Sequence, residues 1–218
     1  MTDQAELARW NERYAAEGYL FGTEPNRFLA SQAHRLPKQG RALSVADGEG
    51  RNGVWLARQG LQVTTVEFSP AGIAKARALA DHYAVTPELI QADLGEWDWG
   101  ARRFDVVVGI FFQFAAPPLR ALIFRRMREV LNPGGLLLLE GYTPRQLIHK
   151  TGGPSAIDQL YTEDLLRTAF AGMEILHLNE YEAELNEGTR HQGMSAVIDF
   201  VARQTAVPPY VAHSGLGD

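Results

Sequence analysis

Three stretches of this chain place a carboxylate where an apolar run gives way to a turn. The first, Leu43-Ser-Val-Ala-Asp-Gly-Glu-Gly-Arg-Asn-Gly53, contains Gly48-x-Gly50-x-x-Gly53, the spelling of a dinucleotide-binding turn, with Asp47 and Glu49 set into it. Gly48 and Gly50 permit close backbone approach, and a helix opening at Arg51 would offer its first N–H groups to a ligand. A pyrophosphate beside Asp47 and Glu49 would be repelled, so the favoured partner is a cation or an uncharged polar group. Glu67 ends the second stretch, Val63-Thr-Thr-Val-Glu-Phe68, where a carboxylate can accept from both hydroxyls of a ribose. In the third, Gln91-Ala-Asp-Leu94, Asp93 can accept from an adenine amine while the Leu94 N–H reaches a ring nitrogen. Together these favour an adenosine-containing ligand, and dinucleotides share that chemistry. Each feature also has a plain alternative: a Gly-rich connection, a solvated strand end, an Asp that starts a turn.

The elements that must position these residues alternate regularly. Helices are expected over residues 4–17 and 26–34, with Leu7, Trp10 and Tyr14 on one face of the first. Strands then read at 42–45, 62–66, 88–91, 104–110 and 136–140, separated by helices at 51–59, 70–83 and 119–130. Ser69 and Pro70 are a cap and a first helical residue. The nearly unbroken apolar run at 104–110 suits a parallel strand buried on both faces. Asn132-Pro-Gly-Gly135 reads as a turn, 141–158 as a loop, and 162–170 as a helix. Two long strands at 174–184 and 193–202, joined through Asn186-Glu-Gly188, close the pattern. The expected fold is α/β: a Rossmann-like, seven-stranded, mostly parallel sheet with an antiparallel C-terminal hairpin and helices on both faces. Ligands of such sheets sit beyond the carboxyl ends of the strands, where the Gly48 turn lies.

In this order, Gly-x-Gly, Val-Glu-Phe-Ser-Pro, Ala-Asp-Leu, Phe104-Asp-Val-Val-Val108 and Pro-Gly-Gly over about residues 40–140 resemble a class I S-adenosylmethionine (SAM) dependent methyltransferase. Gly-Glu-Gly-Arg-Asn and Val-Glu-Phe-Ser-Pro are most similar to small bacterial tellurite-resistance-type methyltransferases, and more distantly to thiopurine methyltransferases. The flanks Phe21-Gly-Thr-Glu-Pro-Asn26 and Glu140-Gly-Tyr-Thr-Pro144 look alike in that group. The resemblance implies SAM as cofactor, with S-adenosylhomocysteine as product. It puts Ala46, Asp47, Gly48, Glu49 and Gly50 against methionine and ribose, Glu67 at the ribose hydroxyls, and Asp93 and Leu94 at adenine; Phe68, Gly109, Phe111 and Tyr14 are further cofactor-binding candidates. Where the family ends its first strand Asp-x-Gly, this chain has Ser44-Val-Ala46, so a usual carboxylate is missing and a methyl is added, with Asp47 close enough to compensate in charge. SAM carries a sulfonium and an ammonium, which makes Asp47 and Glu49 tolerable and breaks the tie with dinucleotides.

Methyl transfer from a sulfonium disperses charge, so the protein's tasks are alignment and exclusion of water. A general base is needed only for an acceptor that holds its proton. His191 and then His149 are the candidate bases. Aromatic rings suit a cation, and Trp10, Tyr14, Tyr19, Phe21, Phe111, Phe112 and Phe114 are candidates, each also a normal core residue. Tyr19, Phe21, Phe112, Arg145 and Arg190 are assigned to the acceptor, a small molecule such as a thiol or chalcogen oxyanion. Glu180, Glu182 and Glu184 read as a solvated strand face. Two other readings compete: a catalytically silent SAM-binding module, motivated by Ser44 and Ala46, and an NAD(P)-dependent oxidoreductase, motivated by the glycine spelling.

Composition narrows the classes. With 218 residues the chain is read as one domain over 1–206: a helical lid at 1–39, a SAM-binding core at 40–140, and a substrate loop and hairpin at 141–206, followed by a flexible tail at 207–218. A net charge of -5 disfavours a nucleic-acid surface. No apolar run is long enough to span a bilayer, so no membrane partner is expected. There is no cysteine, which removes thiolate metal sites and cysteine nucleophiles, and His-Glu-x-x-His is absent, so no metal is expected. A polar, acidic N-terminus and the lack of cysteine fit the cytoplasm. Oligomeric state has no signature in the sequence.

Overall fold

The computed structural model describes residues 4–205; the tail at 207–218 lies outside the described residues. Seven strands form one sheet in the order β3-β2-β1-β4-β5-β7-β6: β1 Arg41–Val45, β2 Gln62–Glu67, β3 Glu88–Gln91, β4 Phe104–Ile110, β5 Leu131–Tyr142, β6 Glu174–Glu187 and β7 His191–Arg203. β1 pairs in parallel with β2 and with β4, and β7 runs antiparallel to both β5 and β6. The chain therefore leaves β1 towards β2 and β3 on one side and returns to β4 on the other. That reversal opens a crevice at the carboxyl ends of β1 and β4.

The helices are α1 Gln4–Ala15, α2 Arg27–Ser31, α3 Arg51–Arg58, α4 Pro70–His82, α5 Pro117–Glu129, α6 Gln146–His149 and α7 Glu163–Ala169. Their starts follow the local chemistry. The Ser69 side chain caps α4 by accepting the Gly72 N–H, and the Asn26 side chain caps α2 by accepting the Leu29 N–H. Both faces of the sheet are covered. On one, Leu43, Val107, Leu137 and Leu139 pack with Phe112, Phe124 and Met127. On the other, Ala42, Val106, Val108 and Leu138 pack with Phe28, Trp55 and Leu56. Adjacent residues of β4 and β5 thus enter opposite cores, which explains their unbroken apolar runs.

The structure departs from expectation in three places. Asn132-Pro-Gly-Gly135 belongs to β5: Leu131 pairs with Phe104, and the Gly134 N–H donates to the Gln204 carbonyl at 2.8 Å. Left-handed Gly134 (φ 80°) lets the strand bulge there and remain paired. The expected loop at 141–158 starts inside β5 and contains α6. The hairpin is longer than its apolar alternation suggests, because β6 and β7 stay paired as far as Glu187 opposite His191. Among the described residues no helix is long and apolar enough to cross a membrane.

Candidate active site

A cavity of about 650 Å³ opens at the carboxyl ends of β1, β2 and β4, within the ~300–1,000 Å³ range of small-molecule sites. The turns after these strands form its floor. α1, residues 20–22, residues 150–155 and the β6–β7 turn form its walls and roof.

The floor is the turn after β1. Ala46, Gly48 and Gly50 all have left-handed backbones, with φ of 49°, 58° and 88°. Ala46 adopts this conformation as a residue that disfavours it. Asp47 is buried and accepts from the Ser44 hydroxyl at 2.6 Å and the Gly53 N–H at 3.2 Å. Burial raises its pKa to about 6 against those two donors. Ser44 thus contributes a donor at the usual carboxylate position, and the charge lies three residues further on. Gly53 is inside α3, where an added Cβ would lie 2.5 Å from both Asp47 and Thr65, so its spelling reflects packing. Glu49 is also engaged: it accepts from the Leu20 N–H at 2.7 Å and from Lys75 at 2.8 Å. Both carboxylates line the cavity, and both serve mainly to fasten the turn to its neighbours.

Glu67, at the end of β2, accepts from the Gly48 N–H and the Ser69 N–H, each at 2.9 Å. Burial raises its pKa to about 7, with those N–H groups opposing the rise. Each oxygen keeps a lone pair, so the carboxylate can still take two more donors. Tyr14 lies over this floor, since a Cβ on Gly48 would be 2.7 Å from its hydroxyl. α1 is held there by the Asn11 side chain, which accepts the Ala71 N–H at 3.0 Å. Burial, then the Glu67, Glu49 and Asp47 charges, raise the Tyr14 pKa well above that of a free phenol. Phe68 and Phe114 face one another at 5.8 Å on the same wall.

The opposite wall is polar beneath an aromatic surface. The His191 ring lies 4.4 Å from both Phe21 and Phe111, with Tyr142 at 5.8 Å. Its Nδ1 is 3.7 Å from Glu187, too far for a hydrogen bond and close enough for charge to be felt. Burial lowers the His191 pKa, so the ring is neutral near pH 7. Burial would raise Glu187; the Arg51 guanidinium at 2.7 Å and the Arg27 N–H at 3.0 Å outweigh it and hold its pKa at about 2. Asn26 links this pair to β5 by donating to both Glu140 and Glu187. Among the described residues, His191 Nδ1 and the Tyr142 hydroxyl are buried without hydrogen-bond partners, and both residues line the cavity.

Of the residues singled out in the sequence, Trp10, Tyr14, Phe21, Ala46, Asp47, Gly48, Glu49, Glu67, Phe68, Phe111, Phe112, Phe114, Arg190 and His191 come together on the cavity. The others do not reach it. Gly50 packs on Ala76 of α4, and Gly109 packs on Phe112 in the core. Tyr19 turns away and donates to the Lys75 carbonyl. Asp93 accepts the Gly95 N–H at 2.7 Å, and Leu94 is core. Arg145 and His149 instead meet Glu182 on β6, at 2.8 and 3.1 Å, which also gives that otherwise solvated face a local role. Arg51, Asn26 and Glu140 were not singled out. Asn26 and Arg51 stand at the starts of α2 and α3 and Glu140 inside β5, and only the fold connects positions so distant in sequence.

Comparison with known proteins agrees with this geometry. Residues 42–135 match the methyltransferase domain family. A phosphatidylethanolamine N-methyltransferase of Cereibacter sphaeroides is 29% identical over 144 residues, covering 64% of this chain and 69% of that protein. Among solved structures, an enzyme converting a disulfide bond into a thioacetal group during echinomycin biosynthesis aligns with a TM-score of 0.76 at 18% identity, over 96% of this chain and 93% of the other. TehB from Haemophilus influenzae aligns at 0.67 and 18% identity, over 90% and 66%. Magnesium protoporphyrin IX methyltransferase from Synechocystis, solved with bound S-adenosylhomocysteine, aligns at 0.65 and 15% identity, over 93% and 95%. These likenesses establish the fold and leave the acceptor open. Residues 42–135 match a methyltransferase domain, and the chain has the fold of known methyltransferases.

Proposed function

We propose that this protein binds SAM in the cavity and transfers its methyl group to a small-molecule acceptor by in-line displacement. The observation that carries this reading is Glu67: a buried carboxylate at the end of β2, held by two backbone N–H groups, with acceptor capacity left for a ribose diol. When bound, SAM supplies an electrophilic methyl on a sulfonium. Ala46 and Gly48 would line the methionine end beneath Tyr14, and Phe68 and Phe114 would flank the adenine. Arg13, on the same helix as Tyr14, is the natural partner for the methionine carboxylate. The N-terminal segment through residue 39 works as a lid, residues 40–140 as the cofactor core, and residues from 141 onward as the acceptor side. The lack of cysteine supports a cytoplasmic setting.

His191 is assigned as the general base, and Glu187 as the group that positions it. The ring is neutral, and a proton taken by it would be stabilised by the ionised Glu187 at 3.7 Å. Trp10, Phe21, Phe111 and Phe112 exclude water and surround developing or dispersed positive charge. A thiol or chalcogen oxyanion is the acceptor class we favour, since methylation of a soft nucleophile asks little more of the protein than alignment. Calorimetric titration with SAM and S-adenosylhomocysteine tests the cofactor assignment: binding of both is expected, and binding of neither sinks it. Methyl transfer to a panel of thiols and oxyanions then tests the acceptor class.

A further inference from the structure

The cavity carries cations that the protein does not neutralise. Arg13 from α1, Lys150 from the segment after α6 and Arg190 from the β6–β7 turn line it from three elements. Among the described residues none of the three is in an ion pair, whereas Arg9 pairs with Glu6, Lys75 with Glu49 and Arg51 with Glu187. The cavity's carboxylates are already engaged. Glu6 takes Trp10 and Arg9, Asp47 takes Ser44, Glu49 takes Lys75, and Glu67 takes two N–H groups. The positive charges also feel one another: after burial, Arg9 and Arg190 are what lower the Arg13 pKa. Lys150 and Arg190 are exposed at the edge of the cavity, where an anion entering it would meet both charges. SAM brings a single carboxylate, which Arg13 accounts for; Arg190 and Lys150 remain.

Those two stand at the acceptor end. Arg190 directly precedes His191 in the chain. The segment that carries Lys150 returns to the same place, because a Cβ on Gly152 would lie 2.8 Å from the Tyr142 hydroxyl and 3.6 Å from the Arg190 carbonyl. Beside them lie the aromatic faces of Phe21, Phe111 and Tyr142, and the unpartnered Tyr142 hydroxyl and His191 Nδ1. We infer that the methyl acceptor is a small aromatic anion, whose carboxylate or oxyanion is held by Arg190 and Lys150 while its nucleophile faces His191. This rests on the methyltransferase reading above and names the substrate class of that same site. Arg190 and Lys150 are specificity-determining residues here, and neither takes part in proton transfer.

The test compares 4-mercaptobenzoate with its uncharged relative 4-methylbenzenethiol, each titrated into the protein with and without S-adenosylhomocysteine. The acid is expected to bind at least about tenfold more tightly, the scale of one charge-assisted hydrogen bond, and to weaken as salt is raised. Arg190→Gln and Lys150→Gln should each lose about tenfold for the acid and leave the neutral thiol and S-adenosylhomocysteine unchanged. Lys150→Arg should retain acid binding, which separates charge from folding, and Arg126→Gln on α5 serves as a control. Equal affinity for the two probes, no binding of the acid, or a Gln variant that keeps it would each overturn the inference. So would vesicles of phosphatidylglycerol binding with this same sensitivity while the free acid does not, since the anion would then be a lipid headgroup. Failure of S-adenosylhomocysteine to bind, with acid binding intact, would remove the methyl-transfer reading and leave the anion site standing.

Discussion

Gly188 joins the two ends of the chain over the cavity, and replacing it by alanine tests that connection. It is left-handed, with φ 63°, in the turn between β6 and β7. A Cβ there would lie 2.5 Å from both the Gly22 nitrogen and the Phe21 carbonyl carbon, and against the Leu20 carbonyl oxygen. All three are backbone atoms, so no side-chain rotation relieves the overlap, which is about 1 Å short of ordinary contact. Gly18 is the matched control: its φ is 75° and nothing lies within 4 Å of its added Cβ. Gly18→Ala should cost about 1 kcal/mol, for the left-handed backbone alone. Gly188→Ala carries that cost and a further ~1–3 kcal/mol of overpacking. Lifting residues 20–22 to escape it would break the Thr189 N–H bond to the Leu20 carbonyl, at 2.9 Å, and separate Phe21 from His191. Urea unfolding of both variants measures the difference, and methyl transfer reports on His191. A Gly188→Ala variant within about 0.5 kcal/mol of Gly18→Ala, inside the range of a neutral change, would refute the packing of this segment on the turn.

Other consequences can be measured in parallel. Ser44→Ala removes the hydroxyl donor from buried Asp47 and should destabilise by about 1–3 kcal/mol at pH 8, and by less at pH 5, where a group titrating near 6 is protonated; equal losses at both pH values by denaturant unfolding would contradict it. Arg51→Met leaves Glu187 ionised and buried without its guanidinium and should cost about 3–5 kcal/mol, read as a fall in thermal stability. Glu67 titrates near 7 and accepts hydroxyl donors best when ionised, so S-adenosylhomocysteine should bind more tightly as pH rises from 6 to 8; calorimetry in buffers of different ionisation heat would reveal the released proton, and pH-independent binding would count against the ribose assignment. In the ligand-free protein Asp47 and Glu67 hold protons more tightly than they would unfolded, so their contribution to stability is present below about pH 4 and is lost as pH climbs towards 7. Glu187, held at about 2, acts in the opposite sense: its contribution is present above about pH 4.5 and is lost as pH falls towards 2.

Much of the fold was legible because its determinants are local. The alternation of apolar runs with capped helices placed six of the seven strands closely, since each depends on a few neighbouring side chains and on caps such as Ser69. Pro-Gly-Gly was the exception: its composition spells a turn, and only pairing with Phe104 and Gln204 makes it the start of β5. The site was legible in its floor for the same reason. Glycines at 48 and 50 and a carboxylate at 67 follow directly from a strand that ends and a helix that begins.

What tertiary structure alone decided was partnership. Asp47 and Glu49 look in the sequence like charges waiting for a ligand; folded, one is bound by Ser44 and the other by Lys75 and the roof. His149 and His191 are equivalent as isolated histidines, and the register of β6 and β7 sends the first to Glu182 and the second into the cavity beside Glu187. Arg51, Asn26, Glu140 and Glu187 come from four separate segments and form one buried polar wall. Backbone propensities and hydrophobic period act over a turn or a strand, so the sequence by itself specifies elements and their ends. Charge neutralisation and hydrogen-bond satisfaction act across space, and the sheet order had to exist before they could assign a partner.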